Sequence, residues 1–285
     1  MSKRHPRLRP QWMGLSVLLG PPMLWLGVAY LGALATLFIT SLWSVETLSG
    51  TILRTWNLDN FRTLFTTDVY RAITLRTLLV AVAVTVIDAT LAFPIAFYMA
   101  KIASPRAQKL LVIAVLTPLW ASYLVKAYAW RAMFSATGPI AWIADPFGLH
   151  SPGYGLPATI ITLAYLWLPY MILPMYAGLE RLPDSLLEAS ADLGAGVSHT
   201  LRRVVLPVLF PAAVAGSIFT FSLTLGDYIA VKIVGGTTQM LGNVVYDTFL
   251  TANNMPFAAA VSLIPVAVML VYLTAVRRTG ALENL

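Results

Sequence analysis

Residues 181–207 read RLPDSLLEASADLGAGVSHTLRRVVLP, a charged stretch set between an uncharged run at 146–179 and an apolar run that opens at Val204. Its pattern predicts a helix, a turn and a second helix. Pro183 suits the first helical position, and Asp184 and Glu188 fall in the first turns, where the helix dipole favours negative charge. Gly194 suits a left-handed cap at the C-terminal end. The small residues Ala189, Ser190 and Ala191 beside Leu186, Leu187 and Leu193 give this helix a low-relief surface. Such a surface could seat in a groove on another protein, or the helix could simply join two membrane spans.

Working outward, the flanking runs are long enough to cross a bilayer, whose hydrocarbon core of roughly 30 Å needs about 20 apolar residues. The whole chain has this character: 285 residues with 58% hydrophobic and 11% charged, and a mean hydropathy of +0.76. Soluble domains carry about 25% charged residues, so a soluble globular protein is excluded. Residues 10–45 hold no charge, and the segment 14–42 is too long for a signal peptide's apolar core, so it reads as a retained first span. Runs at 74–100 and 110–133, parted by the polar turn 101–109, give spans two and three. Span four is expected at 158–179, after a Gly- and Pro-rich loop at 146–157, and spans five and six at 204–231 and 257–276.

The expected organisation is an all-α integral membrane protein: a tail at 1–13, a six-span domain at 14–276 containing the loop 181–206, and a tail at 277–285. With the N-terminus inside, 12 of the 19 basic residues lie on the cytoplasmic side, which by the positive-inside rule places both termini there. Trp43 and Trp56 mark an outer interfacial segment, where Asn57 to Arg62 could open a short surface helix. Pro94, Pro118, Pro169, Pro174, Pro207, Pro211 and Pro265 lie in or beside the spans, either as ordinary membrane composition or as gating kinks.

Several chemistries are excluded. The chain has no cysteine, so disulfides, thiolate catalysis and cysteine-held metal are ruled out. His5, His150 and His199 lie in three separate segments with no HExxH pattern, and no metal or cofactor is expected. No lysine is followed by Ser or Thr, so the chain lacks a phosphate-binding P-loop of its own. The net charge of +7 is dispersed between apolar runs, which argues against nucleic-acid binding.

The charged stretch resembles the EAA loop of ATP-binding-cassette importer permeases: E-A-A, three residues, G, nine residues, then an aliphatic residue, one more, and L-P. Here Glu188-Ala189-Ser190 leads through Asp192 and Leu193 to Gly194 and Ala195, and nine residues after Gly194 come Val204, Val205, Leu206 and Pro207. Ser190 for the third alanine and Val204 for isoleucine are departures of similar size. The resemblance implies a type I importer permease (MetI-like) fold of six spans in a bacterial inner membrane. It also implies a helix that docks on separate ATPase subunits, a second permease subunit and an external solute-binding protein, with ATP hydrolysis residing in the ATPase. An ion-coupled transporter using Asp88 and Asp227 is the rival reading, and an enzyme a weaker one, given the absence of clustered catalytic groups.

A narrower resemblance covers about 222–258, including Gly226-Asp227-Tyr228, and is similar to permeases of spermidine and putrescine importers. Opine and amino-acid-derivative permeases share much of it. An aspartate within a span costs about 2.5–3.5 kcal/mol on insertion scales, so Asp88 in span two and Asp227 in span five are expected to face a cavity, a partner or a pathway. With Tyr228, Tyr123, Trp130, Trp167 and Tyr170 they are suitable weak ligands for an organic cation, although rings in spans also serve simply as packing. Lys126 and Arg131 in span three oppose a cation unless they are paired or lie at the interface.

Overall fold

The computed structural model describes residues 11–46, 49–149 and 151–278. The expected tails, except for residues 11–13 and 277–278, lie outside the described residues, as do His5 and His150. The long apolar runs fold as helices because only internally bonded backbone is tolerated in lipid. The first, α1 (Gln11–Ser41), leads to a two-residue antiparallel pair, β1 (Ser44–Val45) with β2 (Ile52–Leu53), and then to α2 (Asp59–Thr66), a short helix near the place where the sequence predicts one. The second span, α3 (Asp68–Phe97), runs on through a π-helical turn at Tyr98–Ile102.

The third span departs from expectation. It is two helices, α4 (Pro105–Trp120) and α5 (Tyr123–Met133), bent by 93° at the break. Ser104 caps α4, accepting from the Ala107 amide, with Pro105 at the first helical position. At the bend the Lys126 ammonium donates to the Pro118 carbonyl at 3.1 Å, satisfying an acceptor near the end of α4 that the broken helix leaves open. A short α6 (Pro139–Ala144) follows, and then α7 (Leu156–Glu180), which begins within the expected Gly/Pro loop.

The charged stretch forms α8 (Asp184–Asp192) and α9 (Val197–Thr200), the latter continuing through a second π-helical turn, Leu201–Val205, into α10 (Leu206–Leu225). Span five therefore ends at Leu225 instead of residue 231, because the chain breaks at Gly226–Tyr228. The expected remainder of that span is the separate short helix α11 (Ile229–Val234), followed by α12 (Leu241–Leu250) and α13 (Met255–Arg278). Among the described residues, five helices are long and apolar enough to cross a membrane, six where the bent α4/α5 pair counts as one span.

The core is a layer of α3, α7 and α10. Gly216 of α10 lets the backbone approach Met171, where an added Cβ would fall 2.7 Å from the sulfur, and a Cβ at Gly178 would meet that of Ala212 at 2.6 Å. The cytoplasmic half of the layer packs Ala92, Ala96 and Met99 against Met171, Met175, Leu179, Leu182, Val205 and Leu209. The outer half packs Val80 and Val84 against Leu163 and Leu166, and reaches Ala230, Val231 and Met240 near the chain break.

Candidate functional site

Two places carry the residues singled out by sequence. At the cytoplasmic end, α8 begins at Asp184, one position later than expected, with Pro183 as its cap residue. Its other end follows the expected chemistry closely. Gly194 has φ +74°, its amide donates to the Ala191 carbonyl at 2.8 Å, and the Ala195 amide donates to the Ser190 carbonyl at 3.0 Å. These two bonds are the Schellman arrangement that closes a helix. Ser190 is buried and shares a 2.8 Å hydroxyl bond with Thr200, holding α8 against α9, so it faces inward and leaves the outer surface to its neighbours. Glu188, Ala189 and Asp192 are exposed, Leu193 is 88% exposed and Val197 85%. Between α8 and the α9 helix with its π-helical turn lies a groove of about 620 Å³, lined by Leu186, Ala189, Leu193, His199, Arg203 and Val204 among others. Leu187 packs against the hydrophobic cluster that includes Met99, Leu179, Leu182 and Val205.

At the outer end, the break after α10 places Asp227 between two helices, and its side chain is buried. Oδ1 accepts the Ala230 amide at 2.9 Å, capping α11, and the Tyr123 hydroxyl of α5 donates to Oδ2. The Ala230 amide also approaches the Tyr123 hydroxyl oxygen at 3.2 Å. A cap of this kind satisfies one of the open amides at a helix start. Gly242 lets α12 lie directly on this break, since a Cβ there would stand 2.7 Å from the Asp227 carbonyl oxygen. Asn243 donates to the Tyr228 carbonyl at 3.1 Å.

Aromatic rings extend from this point. Tyr123 stacks on Trp167 at 5.9 Å between centroids, Trp167 meets Tyr170 at 6.0 Å, and Tyr170 stacks on Phe219 at 6.3 Å. Trp130 joins Tyr165 and Phe134 in a neighbouring cluster, each at 5.4 Å. Tyr228 stacks on Tyr246 at 4.8 Å. Lys232 lies over the other ring of that pair, 4.1 Å from the Tyr246 centroid, and pairs with Asp247 at 2.6 Å. The structure thus brings Asp227 and Tyr123 together, with Tyr228 beside them in the chain.

Asp88 stands apart from this group. It is fully buried in α3, and neither oxygen has a hydrogen-bond partner. One turn to either side, Val84 and Ala92 pack against α7, so the side chain lies within the helix layer. Lys126 and Arg131 pair with neither aspartate. Lys126 bonds to Pro118 as described, and Arg131 donates to the Ile233 carbonyl near the end of α11 and lies 4.9 Å from the centre of the Tyr154 ring. Both cations therefore serve open carbonyls near helix C-termini, which the dipole favours. The Lys232, Tyr246 and Asp247 cluster escapes a sequence reading because its members lie on two separate short helices.

Residues 74–279 match the family described as binding-protein-dependent transport system inner membrane component. Among relatives, the chain is 43% identical to the inner membrane ABC transporter permease protein YdcU of Escherichia coli K12, over 96% of this chain and 92% of that protein. It is 33% identical to the spermidine/putrescine transport system permease protein PotB of Haemophilus influenzae, over 72% of this chain and 73% of that protein. Among solved structures, a bacterial alginate ABC transporter in complex with an alginate pentasaccharide-bound periplasmic protein superposes with a TM-score of 0.72 at 15% identity. That match covers 96% of this chain and 95% of the other. The MetNI methionine ABC transporter in an inward-facing conformation gives 0.55 at 18% identity, over 77% of this chain and all of the other. An ion-coupled carrier is thereby set aside: the chain belongs to the inner membrane component family of binding-protein-dependent transport systems and is a multi-pass permease subunit of an ABC importer.

Proposed function

We propose that the solute is a small organic cation of the polyamine class, such as putrescine or spermidine, and that this chain forms half of its path. A second permease subunit supplies the other half, an external solute-binding protein delivers the cation, and separate ATPase subunits hydrolyse ATP. In this reading α8 docks on an ATPase subunit through Glu188, Ala189, Asp192 and Leu193, with Ser190, Gly194 and Ala195 holding the helix in shape. Residues 14–276 make up the permease domain, 181–206 the coupling loop, and 1–13 and 277–285 cytoplasmic tails.

The observation that carries the solute class is the Tyr123–Asp227 pair at the head of the ring series Trp167, Tyr170 and Phe219. Ring faces attract ammonium groups by about 0.5–2 kcal/mol each, weak enough for a cation to move on. Lys126 and Arg131 are engaged by carbonyls and so do not favour an anion. The spermidine/putrescine relatives point to the same class. Asp227, Tyr228 and Tyr123 are assigned to the path and Trp130 to its flank, whereas Asp88 would reach it only after the helix layer opened. Because the 43%-identical relative carries no solute in its name, an opine or amino-acid derivative is the second reading.

The test reconstitutes the complete importer in proteoliposomes and follows ATP-dependent uptake of radiolabelled putrescine and spermidine, with Glu188→Lys as the paired variant. Polyamine uptake by the wild type, and its loss in a variant that still inserts but no longer retains the ATPase, is the expected result. Wild-type uptake by the Glu188→Lys variant would remove the docking role. An importer that hydrolyses ATP but moves neither polyamine would shift the solute to the second reading.

A further inference from the structure

Lys101 lies in the π-helical turn that ends α3, and its side chain is only 8% exposed. Its ammonium donates to the Leu182 carbonyl at 2.5 Å, and to Asp184 Oδ1 at 2.7 Å. Leu182 directly follows α7, and Asp184 is the first residue of α8. One buried cation therefore ties the cytoplasmic end of α3 to the junction between α7 and α8, across more than 80 residues of sequence. Other contacts close the same block. Gln108 of α4 donates to the Tyr176 hydroxyl at 2.7 Å and to Glu180 at 3.4 Å, and Met99, Leu179, Leu182 and Val205 share a hydrophobic cluster against which Leu187 of α8 packs.

We infer that Lys101 is a positioning residue that makes α8 and α3 move as one body. Without it, α8 is attached to the spans by backbone only through the Arg181–Pro183 turn to α7 and the Leu193–Gly196 turn to α9. Either turn could flex and absorb a displacement of α8. With the ammonium in place, the displacement is passed directly to α3, a member of the central layer. The ammonium and the Leu182 carbonyl are withdrawn from water, where a charge-assisted bond is stronger and more directional than apolar contact, and Asp184, 76% exposed, adds the link to α8 itself. This role rests on the docking of α8 proposed above.

The chain contains no cysteine, so paired spin labels can be placed at will. Exposed Arg106 at the start of α4 and exposed Ser185 in the first turn of α8, outside the docking residues, are suitable cysteine sites. Electron–electron double resonance on the complete importer would read the Arg106–Ser185 distance distribution, and proteoliposomes would give putrescine moved per ATP hydrolysed. Lys101→Met keeps the apolar stem and removes the ammonium, and Lys101→Arg restores charge and donors. The expected result is a retained ATPase, a broadened distribution and a transport-to-hydrolysis ratio reduced about tenfold in Lys101→Met, with both readouts largely recovered in Lys101→Arg. An unaltered ratio in Lys101→Met, with or without broadening, would overturn the pin. A wild-type importer whose hydrolysis is indifferent to solute-loaded binding protein would instead overturn the docking reading, and the pin's role in coupling would fall with it.

Discussion

Asp227 holds two positions at once, as the cap of α11 and as the carboxylate nearest the ring series, and the two roles can be separated by substitution. Asp227→Asn keeps an oxygen for the Ala230 amide and removes the charge. Its expected effect is uptake of a polyamine lowered at least about tenfold, the loss of one charge-assisted contact, with little change in thermal unfolding. Tyr123→Phe keeps the charge but leaves Oδ2 without its donor in a buried place, which costs about 1–3 kcal/mol. That variant should lower the unfolding temperature of the purified complex more than Asp227→Asn while keeping more uptake. The reverse ordering would make Asp227 a structural cap alone. Part of this was legible in the chain, since a carboxylate inside an apolar run needs a partner or a cavity, but its role as a cap was not, because 204–231 reads as one continuous span. Its bond to Tyr123, 104 residues distant, had no local signal, and neither did the carbonyl partners of Lys126 and Arg131.

Among the elements, α8 shows how well a short motif can specify local structure. Its glycine, its small residues and its acidic start each have a chemical reason to be there, and all appear in the fold at or within one position of where the sequence puts them. Gly194 has open space around the position a Cβ would take, so a substitution there meets no clash and is penalised only for its left-handed backbone. For a β-branched residue that penalty is about 1–2 kcal/mol. Gly194→Val should therefore leave the chain inserted while loosening the end of α8, and the ATPase retained on co-purification should fall several-fold. Full retention would mean that the cap does not matter for docking. The bends were harder to read than the helices. Residues 110–133 are apolar apart from Thr117, Ser122, Lys126 and Arg131, and Pro118 signals at most a kink, so the local sequence does not specify a 93° turn at Ala121–Ser122. At the turn, Lys126 satisfies the Pro118 carbonyl from a position eight residues on. In the same way, the end of α10 at Leu225 depends on α12 lying against Gly226 and Asp227 through Gly242.

At the scale of the whole molecule, the apolar surface tells which parts meet lipid or a neighbouring subunit. α1 packs chiefly on α13 and leaves Leu18, Trp25 and Tyr30 exposed, whereas α3, α7 and α10 share the buried layer. Such an outer helix satisfies its backbone internally and needs only hydrocarbon around it. Orientation follows from charge: the cluster at Lys101, Arg106, Lys109, Arg181, Arg202 and Arg203 gathers at the end that carries α8, where a positive excess is retained in the cytoplasm. Because the chain has no cysteine of its own, single cysteines report this directly. Ser104→Cys and Ser198→Cys, both exposed at the α8 end, should react with a membrane-impermeant maleimide only after spheroplasts are permeabilised. Thr137→Cys and Thr251→Cys, exposed at the opposite end beside α6 and α12, should react in intact spheroplasts. Reversed labelling would put α8 outside the cell, where no ATP-hydrolysing partner could reach it, and the coupling reading of Glu188 to Gly194 would fail together with the orientation.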